Sequence, residues 1–426
     1  MTRGKKPGAL ALSTSQETTL APIPRPGQRR NADPRHRVLA FAGFASQAMV
    51  RVADPLLPQI AHDLDTTIGT ASVITSGYAV AHATMQLFGA PLGDRFPKYG
   101  LVMLLCTLCA GATAACGFSD SLQTLAFARL ACGLTAGAII PLAMAFIGDA
   151  VSYERRQPVL GRFLAGQILG LVSGQIVGGV VGDHFGWRTV FFVVAGLFVF
   201  AAACLLTEFL RNPVTRAVPR SGAGWRGLMS DYASVFMQRW ALVILFGAFI
   251  EFGIMFGAFA YIGADLHARA GLSFSAVGGV LAAFGAGGLA YVMNVQRLVD
   301  RLGQIGLVAV GGAMMAAANI ALAVAPIWWV AFIAVAVIGL GFHMVHNTLQ
   351  VNATQMAPQA RATAVGVFSS ALYLGQSAGV AAAAPVVDRF GAAPVFVSAA
   401  LAWPILCWWL VRKLRRRQAQ SRAAPT

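Results

Sequence analysis

Twelve stretches of roughly twenty mostly apolar residues follow one another along the chain, and that spacing leaves it very few folds. They run over residues 38–60, 70–92, 100–118, 121–148, 158–182, 187–209, 240–262, 275–295, 304–324, 327–349, 361–386 and 391–411. About 20 helical residues cross the hydrocarbon core of a bilayer. No water is available there for exposed N–H and C=O groups, so each segment must satisfy its backbone internally, as a helix. Charged residues make up only 11% of the sequence and apolar residues 57%, whereas soluble domains carry roughly 25% charged residues. The expected fold class is an all-α integral membrane protein with twelve transmembrane helices.

The chain is internally duplicated. APLGDRFPKYG at residues 90–100 returns as QRLVDRLGQIG at 296–306, a shift of 206 that lays Asp300 on Asp94, Arg301 on Arg95 and Gly306 on Gly100. A shift of 205 lays Arg361 on Arg156, Gly375 on Gly170, Gly379 on Gly174 and Asp388 on Asp183. A repeat of this period makes two equivalent units. The windows therefore divide into two pseudo-symmetric six-helix bundles, 38–210 and 240–413. The polar interval 211–239 reads as a cytoplasmic linker, with a surface helix over Trp225–Met237. Residues 1–37, rich in Pro, Gly, Ser, Thr and Arg, read as a disordered cytoplasmic tail without a cleaved signal peptide. Residues 414–426 read as a basic cytoplasmic tail.

The net charge of +16 is a matter of topology and not of nucleic-acid binding. With the N-terminus in the cytoplasm, 27 of the 32 Lys and Arg fall in the tails and loops on that side, and only Arg188, Arg269 and Arg389 fall opposite. That asymmetry places both termini in the cytoplasm of a multi-pass cell-membrane protein. The basic run Arg412, Lys413 and Arg415 to Arg417 suits anionic lipid head groups. All six Cys lie inside apolar windows, where they act as small hydrophobes.

Several stretches carry a family resemblance. Leu92, Asp94, Arg95 and Lys98 resemble the signature loop between the second and third helices of the major facilitator superfamily, with Ala90 and Pro97 in place of its two glycines. DPLLPQIAHDL from Asp54, RLACG at 129–133, GLVSGQIVGG at 170–179 and GWRTVFF at 186–192 resemble motifs of its twelve-helix drug:proton antiporter branch, with Gln175 where Pro is usual. The resemblance implies a small-molecule exporter driven by protons through alternating access. It also implies partners limited to substrate, protons and membrane lipids, with no cofactor, metal, catalytic residue or nucleic acid, in a protein acting as a monomer. It further implies that Asp94, Arg95 and Lys98, with Asp300 and Arg301 as their repeats, form a gating loop latched against the opposite bundle.

Ionisable groups near the bilayer centre cost at least about 2.5 kcal/mol on insertion scales and are functional suspects. Glu251 lies about 16 Å along its helix from Trp240 in a Phe-rich setting that suits reversible proton carriage. Asp54 has a rival role, an ion pair with Arg51. Arg129 either assists coupling or donates to packing. His343, His346 and Asn347 form a polar stripe that either carries protons or wets a cavity wall. In the superfamily that the chain resembles, the four helices holding these residues ring a central cavity. Gly170, Gly174 and Gly178, with Gly375 and Gly379, are expected to allow close helix approach.

Rival functions find less support. A specific metabolite transporter for a sugar, amino acid or siderophore, or a proton symporter, is the alternative within transport. A non-transporting receptor or scaffold needs no midplane acid, and an ATP-driven pump needs a phosphate-binding loop that the sequence lacks. No H-E-x-x-H stands in the chain, so it is not read as an enzyme.

Overall fold

The computed structural model describes residues 1–2, 34–216, 225–324 and 327–423. Most of the N-terminal tail, the start of the linker and the last three residues lie outside the described residues, as do a few side chains within those ranges. The described fold is helical throughout.

Helix α1 comprises Pro34–Arg51 and Leu57–Asp63, joined by a 3-10 turn at Asp54–Leu56. Pro55 and Pro58 explain the break, since neither supplies the N–H that a continuous ladder needs. Helix α2 comprises Ile68–Ala71 and Val73–Arg95, and α3 is Lys98–Gly117. Helix α4 comprises Leu122–Ala136 and Ile139–Ala150, α5 is Tyr153–Phe185 and α6 is Trp187–Arg211. The linker holds a short helix, Trp225–Met237. Helix α7 is Arg239–Ala270. Phe274–Val324 is a single 51-residue run bent at Gly303, whose φ of 58° and ψ of −179° suit glycine and almost no other residue. It supplies α8 (274–302) and α9 (304–324). Helices α10 (Trp328–Ala353), α11 (Arg361–Phe390) and α12 (Ala393–Ala423) complete the twelve.

Two separate apolar cores form, one from residues between Leu39 and Leu205, the other from residues between Val235 and Leu414. Within the first bundle α5 lies on α1, and within the second α11 lies on α7. The glycine row makes this possible, because a Cβ at Gly170, Gly174 or Gly178 would strike the carbonyls of Phe44, Ala48 or Val52. Across the repeat, a Cβ at Gly375 or Gly379 would strike those of Phe249 or Gly253. Lipid tails are as apolar as the side chains, so such close backbone contact supplies much of the packing energy. Between the bundles, α5 meets α8 and α2 meets α11. Here Gly179 and Gly278 lie face to face, each without room for a side chain. The five expected packing glycines thus bind helices inside a bundle, and a different pair lies at the seam.

Candidate functional site

A cavity of about 1970 Å³ lies between the bundles at their basic end. Its walls come from both halves and include Gln86, Phe163, Gln167, Gln350 and Ser369, with Arg95, Lys98, Arg156 and Arg361 toward the mouth. One turn deeper than Gln350 on α10 stands His346, whose Nδ1 is 3.1 Å from Oε2 of Glu251 on α7. Glu251 is wholly buried and its Oε1 has no partner among the described residues. The His346 ring stacks on Phe342 at 5.0 Å, and Phe252 and Phe368 flank it. A carboxylate and an imidazole in contact, walled by phenyl rings and one helical turn beyond the cavity residue Gln350, can accept and release a proton without exposing a bare charge to lipid.

A second acid lies farther from the basic end. Asp54, at the break in α1, is wholly buried, with Oδ2 3.5 Å from Arg51 Nη1. Arg51 reaches across the seam, where its Nη2 donates to Gln376 Oε1 of α11 at 3.3 Å and its guanidinium lies 3.6 Å above the Phe256 ring of α7. The ion pair expected as a rival role for Asp54 therefore exists within α1, and its Arg51 makes the contact across to the second bundle.

The remaining expected residues are dispersed. Arg129 is wholly buried inside the first bundle, donating through Nε to the Ile74 carbonyl at 3.2 Å and packing 4.4 Å over Tyr78. His343 turns toward α8, with Nδ1 2.6 Å from the Gly339 carbonyl and its ring beside Phe284 and Tyr291. Asn347 donates to the Tyr291 hydroxyl at 2.7 Å. Of the gating loop, Lys98 pairs with Asp149 of α4 at 2.5 Å, Arg95 is exposed at the mouth, and Asp300 and Arg301 are exposed. The Asp94 side chain lies outside the described residues.

Sequence reasoning missed Gln376 and Tyr373 on α11. Tyr373 lies 4.1 Å from the His82 ring and 6.1 Å from Phe252, and so links His82, which contacts the cavity-lining Gln86, to the Glu251 site. Their signal was that each is a large polar side chain inside an apolar window.

The linker helix reaches the cavity mouth through Leu228 and Asp231. Its Tyr232 hydroxyl donates to the Leu87 carbonyl at 2.5 Å. Leu87 stands four residues before Pro91, which has no N–H to give it, so the tyrosine satisfies a carbonyl that the helix leaves free. Burial pushes the Tyr232 hydroxyl above its ordinary ionisation range, and it stays a donor. Replacing Tyr232 by Phe is expected to cost about 1 kcal/mol, read as a lower unfolding midpoint of the purified protein. An unchanged midpoint would show that water serves Leu87 equally well.

Comparison with known proteins gives one consistent result. A family model described as Major Facilitator Superfamily matches residues 39–380. The uncharacterized MFS-type transporter YceJ of Bacillus subtilis is 23% identical over 87% of this chain and 94% of its own length. A chloramphenicol resistance protein of Streptomyces lividans is 28% identical over 58% of this chain and 62% of its own. A probable sugar efflux transporter of Pasteurella multocida is 22% identical over 89% and 92%. Among solved structures, the nucleoside transporter NupG superposes with a TM-score of 0.73 at 13% identity, covering 88% of this chain and 97% of that one.

Proposed function

The chain belongs to the major facilitator superfamily of membrane transporters, and from that premise we propose that it exports a small molecule from the cytoplasm in exchange for protons. It is a transporter and not an enzyme. The Glu251–His346 contact, one turn along α10 from the cavity residue Gln350, carries the proposal. In this reading the basic end faces the cytoplasm, by the charge asymmetry of the loops, and the structure is the inward-open form. Substrate enters the cavity beside Gln86, Phe163 and Gln350. The bundles then rock, the site opens outward, and a proton taken up at Glu251 displaces the substrate. Asp54 and Arg51, at the seam, are placed to pass the protonation state to the contact between bundles.

A drug-like compound or a metabolite is the proposed cargo, since the relatives include a protein named for chloramphenicol resistance and one named for sugar efflux. The cavity is large and its lining is mainly apolar, with Phe88, Leu160 and Phe163 among a few glutamines, which favours an apolar or aromatic compound over a sugar. Right-side-out vesicles preloaded with a compound panel that includes chloramphenicol and monosaccharides give the test. Acidifying the outside is expected to speed exit, and a protonophore is expected to slow it. Acid-driven accumulation inside would make the protein a symporter.

A further inference from the structure

At the end of the bundles away from the basic mouth, two carboxylates cross the seam. Asp388, near the C-terminus of α11, accepts from the Gly69 N–H at 2.7 Å and from the Thr67 hydroxyl at 2.7 Å, at the N-terminus of α2. Asp183, near the C-terminus of α5, accepts from the Ser275 hydroxyl at 2.7 Å and from its N–H at 3.3 Å, at the N-terminus of α8. The two clasps are copies. The shift of 205 lays Asp388 on Asp183, and the shift of 206 that lays Asp300 on Asp94 lays Ser275 on Gly69 and Ser273 on Thr67. Thr67 and Ser273 each cap their own helix in the same way, accepting from Thr70 N–H and Ala276 N–H at 3.2 Å.

We propose that Asp183 and Asp388 are paired positioning residues that hold the outer end of the transporter closed. The first turn of a helix presents N–H groups without intrahelical partners and a partial positive charge, and a carboxylate answers both. Each clasp draws its acid from one bundle and its helix start from the other, at the two most extensive contacts between the bundles, α5 on α8 and α2 on α11. Opening outward must part both. Asp183, Asp388 and Thr67 are exposed, so water can rehydrate them once the bundles separate. Close packing supports the same closure: a Cβ at Gly69 would collide with the Asp388 carboxylate, and Tyr261 of α7 places its hydroxyl 2.8 Å from Ser72 Oγ of α2.

The inference rests on the alternating-access reading, and its test separates the two. In a Cys204→Ser background, Gln175→Cys introduces a thiol at a position wholly buried on the α5 side of the seam, reachable by an impermeant maleimide from outside only when the outer end opens. Ser369→Cys reports from the cavity in inside-out vesicles. Replacing Asp183 or Asp388 by Ala is expected to raise outside labelling about fivefold each, the equivalent of about 1 kcal/mol per helix terminus. The double variant is expected to reach about twenty-fivefold, with inside labelling falling. Asn at both sites should give a smaller change, because it keeps one acceptor oxygen. Unchanged outside labelling in the double Ala variant overturns the clasps, and so does a rise at both reporters together, which marks a loosened fold. Full labelling of both reporters with the aspartates intact overturns alternating access itself.

Discussion

Glu251→Gln is expected to reduce proton-driven transport to the leak of protein-free liposomes while leaving the protein folded and inserted. Gln keeps the volume and can still meet His346 Nδ1, now 3.1 Å from the carboxylate, so the packing against Phe252 and Phe342 is retained. What disappears is the titratable proton. A site that binds cargo or a proton, but not both, then loses the reaction that returns it empty or loaded, and a pH gradient no longer does work on the substrate. Exchange of labelled for unlabelled substrate needs no proton turnover and should survive. The measurement is gradient-driven flux beside equilibrium exchange in the same proteoliposomes. Wild-type gradient-driven flux in the variant would remove Glu251 from the mechanism, and loss of both activities would make it a substrate ligand.

His346 shows where the sequence stops being informative about this site. The depth of Glu251 was readable because its distance along α7 is simple arithmetic and the bilayer penalises any acid at that depth. Which histidine of α10 would meet it was not readable, since His343 and His346 are three residues apart and a small rotation of the helix exchanges them. The structure turns His343 toward Tyr291 and His346 toward Glu251. Arg129 illustrates a different gap. A deep arginine reads as functional, yet here the carbonyls of Ile74 and Met49 and the ring of Tyr78 supply its partners inside one bundle. Backbone carbonyls near the broken start of α2 are invisible to a sequence pattern.

The fold itself was far more legible. Every one of the twelve windows overlaps a helix, because in hydrocarbon the backbone has no other way to pair its groups. The duplication located Asp183 and Asp388 as equivalents without indicating that each crosses to the other bundle. That depends on how the bundles meet at this end, a property of the conformation and not of the sequence pattern.

Among the repeated glycines the largest effect on stability is expected from Gly379→Leu. A Cβ there would land on the Gly253 carbonyl, a backbone atom held in the α7 ladder that cannot turn aside as a side chain would. Helices α7 and α11 must then separate over the contact that Gly253, Gly257, Gly375 and Gly379 share. Because lipid offers no hydrophobic penalty for that separation, the lost dispersion contact is not recovered elsewhere. Overpacking a tight contact costs typically 1–3 kcal/mol, and here the whole helix pair is displaced, so about 3 kcal/mol or more is expected. Gly279→Leu on α8 is the control, since a Cβ there meets nothing within 4 Å. Thermal unfolding of the two purified variants, followed by the fraction that stays monodisperse, should show a large fall for Gly379→Leu and little for Gly279→Leu. Equal behaviour would mean that α7 and α11 slide freely, and that the glycine row serves motion in place of packing.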